Sequence, residues 1–422
     1  MHFTGVLAGA AAVCARLIVG AAASASAHSA QQMNVLSLVM LMCRYPLVKE
    51  YPNPAPRGTR GGGAETRPCE LRYASAMRWV TGLMSLSVAV LAAAPARAAW
   101  VDRTEAIMGT RVYVQLWADD SDNGNAAIEA VMKEMRRIDS LMSHYKPDSQ
   151  LSRINQRAGY EPVQVDPELF DLIKLSTHFS EITLGAFDIT YASVGYLYNY
   201  PLHVHPTEEQ IKAALPGVDW RNLEFDAVHH TIRFGHPGMR IDLGGIAKGY
   251  AVDRGVAILK AGGIQHALVT AGGDSRLLGD RLGRPWLVSI AHPDEPHNPD
   301  KVVTRIPLSD AAVSTSGDYE RYFDEDGVRY HHIIDPHTGH PANRVRSATI
   351  IGPTATQTDG LSKTAFVLGP EKTLELINRM PEFDAVLVTP TGRLLYSNGL
   401  RPPKPRPPGA PPPDSRRASP EH

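Results

Sequence analysis

The sequence predicts an α+β protein with a mostly antiparallel sheet core and helices packed against it. Three observations carry this. Segments with apolar residues at helical spacing interleave with segments in which apolar and polar residues alternate. Neighbouring strand-like runs are joined by short turns, as in "LEF" and "TIRF" around "DAVHH", and "AVLVT" and "RLLYS" around Pro390-Thr391-Gly392. Crossovers of the kind a doubly wound parallel sheet needs are few, and no internal repeat is visible.

The elements follow in order. In residues 111–117 Val112, Val114 and Leu116 share one face, which marks a half-buried strand. Asn125 is expected to cap a helix whose apolar positions are Ile128, Val131, Met132, Met135, Ile138, Leu141 and Met142. Its methionines read as core filler. Asp166-Pro167 opens a second helix carrying Leu169, Leu172, Ile173 and Leu175. Thr207 and Gln210 form a capping box for a short third helix that Pro216 ends. "RID" (240–242) is expected to be a strand that runs into Gly244-Gly245. A helix then carries Ala251, Val252, Val256, Ile258 and Leu259 until Gly262-Gly263 stops it. "HALVT" is a strand turned by "AGGD"; "WLVSIA", "VVTRIPL" and "AAVSTS" are further strands. Residues 359–368 and 371–379 are helical.

Bulk properties narrow the function. The chain has 422 residues and a formal net charge of −1, so nothing suggests an electrostatic grip on nucleic acid. Cys14, Cys43 and Cys69 are the only thiols, so the rest of the chain has no disulfide framework, thiolate zinc site or cysteine nucleophile. Residues 1–76 read as a non-native extension from a mis-called start, with a long membrane-associated leader as the competing reading. Residues 77–98 have the pattern of an export signal peptide: Arg78, an apolar run from Leu83 to Ala94, and the small-x-small exit Ala96-Arg97-Ala98. Residues 99–400 are then the folded domain, placed outside the cytoplasm. Residues 401–422 are a Pro-rich tail expected to be disordered.

The chemistry concentrates in "DLGGIAKGYAVD" (242–253). Gly244 and Gly245 are adjacent and Lys248 precedes Gly249, so neither common nucleotide-binding glycine pattern fits. Glycines still admit close approach of backbone N–H groups, and a helix N-terminus favours an anion. Alone, the stretch reads equally as a plain strand-to-helix turn. It is joined by "AGGD" (271–274), "STSGDYERYF" (314–323), "HHIIDPHTGHP" (331–341) and "GAFDIT" (185–190), which together suggest one polyanion-binding cleft at a sheet edge.

With "MGT" (108–110), "SHYKPDSQLSRIN" (143–155) and "TDGLSKTAFVLG" (358–369) added, this order resembles the ApbE family of flavin transferases over about residues 105 to 398. The resemblance implies an exported, Mg²⁺-dependent enzyme, periplasmic or on the outer face of the inner membrane. Such an enzyme cuts FAD at its diphosphate, joins FMN through a phosphoester to a Thr or Ser of an acceptor protein, and releases AMP. The implied acceptor carries an FMN-binding domain, in an exported or membrane electron-transfer complex. By the same resemblance Met108, Tyr145, Ala186, Phe187, Asp188, Asp242 and Lys248 hold the flavin nucleotide, and the Gly245 carbonyl and Asp359 ligate the metal. Magnesium's preference for a few hard oxygens completed by phosphate fits such a set, and Lys248 can balance charge developing on phosphoryl oxygens. His332 is the candidate base for the attacking hydroxyl, since a free imidazole titrates near neutrality; the structural alternative is that His331 and His332 only pack.

One departure stands out. The family pattern places a Thr four residues after the metal carboxylate, and this chain has Lys363. An ammonium cannot ligate Mg²⁺ and repels it at close range. The favoured expectation is that Lys363 points away and water fills the site. In the other readings Thr364 takes over, or the lysine supplies part of the metal's charge. "YASVGYLYNY" (191–200) also departs from the Gly-Pro-rich segment usual there. Two further functions stay open at this point: FAD binding without transfer, and a Mg²⁺-dependent FAD pyrophosphatase.

Overall fold

The computed structural model describes residues 98–401 except His297 and Pro299, and these lie in one compact unit. The expected N-terminal extension, export signal and Pro-rich tail fall outside the described residues, save their edge residues Ala98 and Arg401. Among the described residues no helix is long and apolar enough to cross a membrane.

Eight strands make one sheet. In spatial order they are β1 (Ala99–Ile107), β2 (Thr110–Ala118), β6 (Ala267–Ala271), β7 (Asp274–Leu278), β10 (Ala312–Gly317), β13 (Ser347–Gly352), β14 (Asp384–Val388) and β15 (Leu394–Tyr396). Every pairing is antiparallel, as the frequent hairpins predict. Three small antiparallel pieces attach: β3 (Val163–Gln164) with β5 (Thr231–Phe234) and β4 (Leu223–Asp226), β8 (Trp286–Ala291) with β9 (Val302–Leu308), and β11 (Tyr322–Glu325) with β12 (Val328–His331). The central β13 is buried along its whole length, which its small and apolar "SATIIG" permits.

The helices are α1 (Ser121–Met142), α2 (Gln150–Arg157), α3 (Pro167–Ile182), α4 (Ala192–Gly195), α5 (Glu208–Ala214), α6 (Ala247–Ala261), α7 (Ala355–Leu368) and α8 (Pro370–Asn378). α1, α6 and α7 cover the sheet. Ile128, Val131, Met132, Met135 and Ile138 of α1 are fully buried, as their spacing predicts. The Thr207–Gln210 capping box on α5 and the Asp166 cap on α3 form as expected, although Leu175 of α3 faces solvent.

Two expectations need correction. α1 starts four residues before Asn125, and its cap is Asp120, whose carboxylate accepts from Asp122 N and Asn123 N. Gly124 lies within this helix because a larger side chain would press on Val101 and Ala118. "RID" is not a strand. Its backbone is tied to side chains and a loop instead: Arg240 N donates to Ser193 Oγ, Ile241 exchanges two bonds with the Asn155 amide, and Asp242 N donates to Ile189 O. These partners satisfy the backbone without a ladder and fix the segment where Asp242 is needed.

Candidate functional site

α6 and α7 cap each other. The N-terminus of a helix leaves backbone N–H groups without partners, and a carboxylate there gains from both the hydrogen bond and the helix dipole. Asp253 of α6 accepts from Ala355 N (2.9 Å), Thr356 N (2.8 Å) and Thr356 Oγ1 (2.6 Å) at the start of α7. Asp359 of α7 accepts from Gly249 N at 3.0 Å in the first turn of α6. Gly249 allows this, since any side chain there would collide with the Ala355 carbonyl. "DLGGIAKGYAVD" and "TDGLSKTAFVLG" are thereby locked to each other. β10 is tied to the same helix by Ser314 Oγ with Thr358 Oγ1 (2.8 Å) and Ser316 Oγ with Ser362 Oγ (2.7 Å).

In front of this lock opens a cleft of about 1060 Å³. Met108, Tyr145, Ala186, Phe187, Asp188, Asp242, Gly245, Lys248 and His332 all line it, although they come from segments spread over more than half the chain. Asp359 lies behind the cleft wall and has no exposed surface. Met108 and Gly109 form the turn between β1 and β2, both with positive φ (56° and 66°), the geometry a two-residue hairpin favours. For Met108 this conformation is strained, and it sets the side chain at the cleft rim. Tyr145 is 73% exposed and rests on the His144 ring, with centroids 3.7 Å apart. It offers an aromatic face at the mouth. Phe187 is buried, in edge contact with Phe179, and touches the wall at Gly245.

The polar groups divide by task. Both oxygens of Asp188 serve its own chain: Oδ1 accepts from Thr190 N and Oγ1, and Oδ2 accepts from Trp220 N. Burial raises its carboxyl above the ordinary value against the pull of those bonds. Asp242 is also buried, and burial alone would raise it. The hydrogen bond and charge of His144, the Gly244 N–H at 2.6 Å and the Tyr191 hydroxyl more than offset this and hold it below the usual carboxylate range. The same bond from Gly244 shapes the glycine turn, since a side chain there would meet Asp242 Oδ1.

Lys248 occupies the first turn of α6. Its ammonium donates to Gly244 O (2.9 Å) and stands 3.4 Å from Asp274 Oδ2 and 3.9 Å from Asp359 Oδ2. Lys363 extends from α7 into the same corner, its ammonium in contact with Asp359 Oδ1. The expectation that Lys363 points away is therefore overturned: it shares a helical face with Asp359 and finds the buried carboxylate there. Thr364 does not replace it, because its hydroxyl donates back to Leu361 O at 2.6 Å. Burial and the charge of Lys248 push the Lys363 ammonium downward, with Asp274 opposing.

His332 lines the cleft with Nδ1 unpartnered. Burial, then His331, Arg321, Lys248 and Lys363, lower it to about 3. It is a neutral imidazole at neutral pH. His331 next to it is lowered to about 4 by burial. Sequence reading missed Asp274, buried with Oδ1 unpartnered, and His144, the partner of Asp242. Both stand in motifs already singled out, "AGGD" and "SHYKPDSQLSRIN". It also passed over Arg240 and Arg321, which add positive charge to the lining.

Known proteins resemble this chain in sequence and fold. The ApbE family profile matches residues 108–387. A protein of Treponema pallidum named FAD:protein FMN transferase is 35% identical over 324 residues, 72% of this chain and 89% of that protein. One of the same name from Vibrio cholerae is 34% identical over 306 residues, 70% of this chain and 88% of its own length. Among solved structures, the ApbE protein of Thermotoga maritima superposes with a TM-score of 0.66 at 36% identity, covering 71% of this chain and 98% of that one. The flavin transferase ApbE of Vibrio cholerae gives 0.63 at 29% identity, with the same coverage.

Proposed function

The chain belongs to the ApbE family and is a flavin-transferring enzyme; on that premise we propose that its cleft binds FAD and passes FMN to a Thr or Ser hydroxyl of an acceptor protein, with AMP leaving. The observation that carries this is the convergence of the Gly244-Gly245 turn, the start of α6, Lys248 and His332 on one cleft. A helix N-terminus with an adjacent ammonium suits a diphosphate. Tyr145, Met108 and Phe187 supply the apolar and aromatic surface a flavin ring needs.

The step is a phosphoryl transfer. The acceptor oxygen bonds to the phosphorus on the flavin side of the diphosphate. The bond from that phosphorus to the bridging oxygen breaks, and its electron pair leaves with AMP. The hydroxyl proton passes to the imidazole of His332, whose Nδ1 is buried and unpartnered in the ligand-free protein and must turn toward the cleft to take it. Burial first, then His331 and the cations Arg321, Lys248 and Lys363, make that imidazole a weak base, and the incoming diphosphate offsets the part due to the cations. Lys248 moves from its carboxylates toward the phosphoryl oxygens, where negative charge builds up.

Resemblance assigns Mg²⁺ to the Gly245 carbonyl and Asp359. The residues around Asp359 fit it poorly, because one oxygen serves Gly249 N and the other the Lys363 ammonium. No step here depends on a metal. The signal pattern at 77–98 supports export, and with it an acceptor outside the cytoplasm, in an exported or membrane-bound flavoprotein with an FMN-binding domain.

The test is intact-mass spectrometry of an FMN-binding-domain protein incubated with residues 99–400 and FAD. A gain of one FMN, lost when the acceptor hydroxyl is removed, supports transfer. Free FMN released equally fast with and without acceptor supports a pyrophosphatase instead, and tight FAD binding with neither product supports a binding protein.

A further inference from the structure

Asp359 and Lys363 stand one turn apart on α7, an i,i+4 pair, so the two side chains share a face. Asp359 is fully enclosed, and its two oxygens have separate duties: Oδ1 meets the Lys363 ammonium and Oδ2 takes the Gly249 N–H. Lys248 Nζ sits 3.9 Å from Oδ2 and bridges to the buried Asp274. Two carboxylates are thus faced by two lysine side chains, which supply their counter-charge from within the protein. The α7 hydroxyls within reach of a metal shell at Asp359 are committed elsewhere. Thr364 Oγ1 donates to Leu361 O, and Ser362 Oγ bonds Asp359 O and Ser316 Oγ. A divalent ion entering here would have to displace an ammonium from a buried carboxylate while standing within a few ångströms of both lysines.

We propose that Lys363 is the resident counter-cation of Asp359, that it keeps divalent metal from that carboxylate, and that with Lys248 it meets the FAD diphosphate in the metal's place. This rests on the flavin-transfer reading for the identity of the anion, and on the Asp359–Lys363–Lys248–Asp274 geometry for everything else. Lys363 lines the cleft, so its charge reaches the ligand. Asp359 stays occupied throughout, which also keeps the α6 cap in place.

The experiment titrates Mn²⁺ into the ligand-free protein, followed by electron paramagnetic resonance, for the parent, Lys363→Thr and Lys363→Met. It then measures FAD binding by flavin fluorescence quenching in EDTA and in Mg²⁺. The parent is expected to hold no Mn²⁺ in the micromolar range and to bind FAD with less than about twofold difference between EDTA and Mg²⁺. Removing the Lys363 charge, which burial and Lys248 weaken, about 4 Å from the ion corresponds to roughly tenfold or more in affinity, so Lys363→Thr should gain a Mn²⁺ site by that factor. A parent that binds one Mn²⁺ as tightly as Lys363→Thr, or loses FAD affinity tenfold in EDTA, overturns the proposal. Should Lys363→Thr fail to fold by circular dichroism, the parent's own Mn²⁺ titration decides: a micromolar site abolished by Asp359→Asn overturns it, and the absence of such a site upholds it. Failure to bind FAD under any condition would instead sink the flavin reading and leave the Mn²⁺ result standing.

Discussion

Replacing Gly249 with alanine sets two effects of opposite sign against each other. Gly249 lies inside α6, where alanine is favoured by about 1 kcal/mol. On propensity alone the variant gains stability. Packing opposes this. A methyl group at 249 would lie 2.2 Å from the Ala355 carbonyl oxygen, 2.6 Å from its carbon and 2.8 Å from Asp359 Cβ. Two of these are backbone atoms, so no rotamer change relieves the contact and the helices must part. Overpacking of this kind costs about 1–3 kcal/mol. Parting also weakens the bond from Gly249 N to the Asp359 carboxylate, about 1.5–3 kcal/mol for a charged acceptor. The balance is a loss of about 1.5–5 kcal/mol, or roughly 2–8 °C in Tm for a domain of this size. Differential scanning calorimetry checks it, with Gly360→Ala as control. At Gly360 an added methyl group meets only Phe179 at an ordinary 3.6 Å, so Tm should hold or rise. A Tm for Gly249→Ala at or above the parent, or equal drops in the two variants, refutes the argument that these helices touch at Gly249.

Other substitutions separate binding from folding. Tyr145→Ala should leave stability within about 0.5 kcal/mol, since the side chain is exposed, yet weaken FAD by about tenfold through lost stacking, measured by fluorescence titration. Lys248→Gln should slow FMN transfer about 100-fold or more in single-turnover assays. It should also lower stability by about 3 kcal/mol in urea titrations, because Asp274 and Asp359 lose a shared cation. The His331 imidazole is buried and lowered from 6.5 to about 4. Its folded value lies below its unfolded one, so its contribution is unaffected above pH 6.5 and falls by about 3 kcal/mol as pH drops from there to about 4, while His332, lowered to about 3, adds to the loss over the same window. Urea midpoints measured across that window should fall, and His331→Gln should flatten the slope; an unchanged slope in the variant would assign the loss to other groups.

The hairpins, the α3 and α5 caps and the α1 core stripe were legible because local chemistry fixes them. β1 was not. Its "AWVDRTEAI" shows no apolar alternation, since this edge strand faces α1 through charge: Arg103 pairs with Glu129, and Arg136 with Glu105 and Glu129. The start of α1 was misplaced because "SDNG" has turn chemistry, and only packing against Val101 and Ala118 shows why Gly124 belongs in a helix. In the site, the residues carried by resemblance met in one cleft, except Asp359, which lies behind its wall, but their couplings were invisible. Nothing local says that Asp253 and Asp359 cap each other's helices, or that Lys363 reaches back to Asp359. Such contacts are set by the crossing of α6 and α7, a property of the whole fold.

A crystal structure of the protein soaked with FAD tests the account most directly. The diphosphate should lie against the Gly244-Gly245 turn and the start of α6, within hydrogen-bonding reach of Lys248, with His332 facing the flavin-side phosphorus and the flavin ring beside Tyr145. A diphosphate bound away from that turn, or a flavin ring outside the cleft, would contradict it.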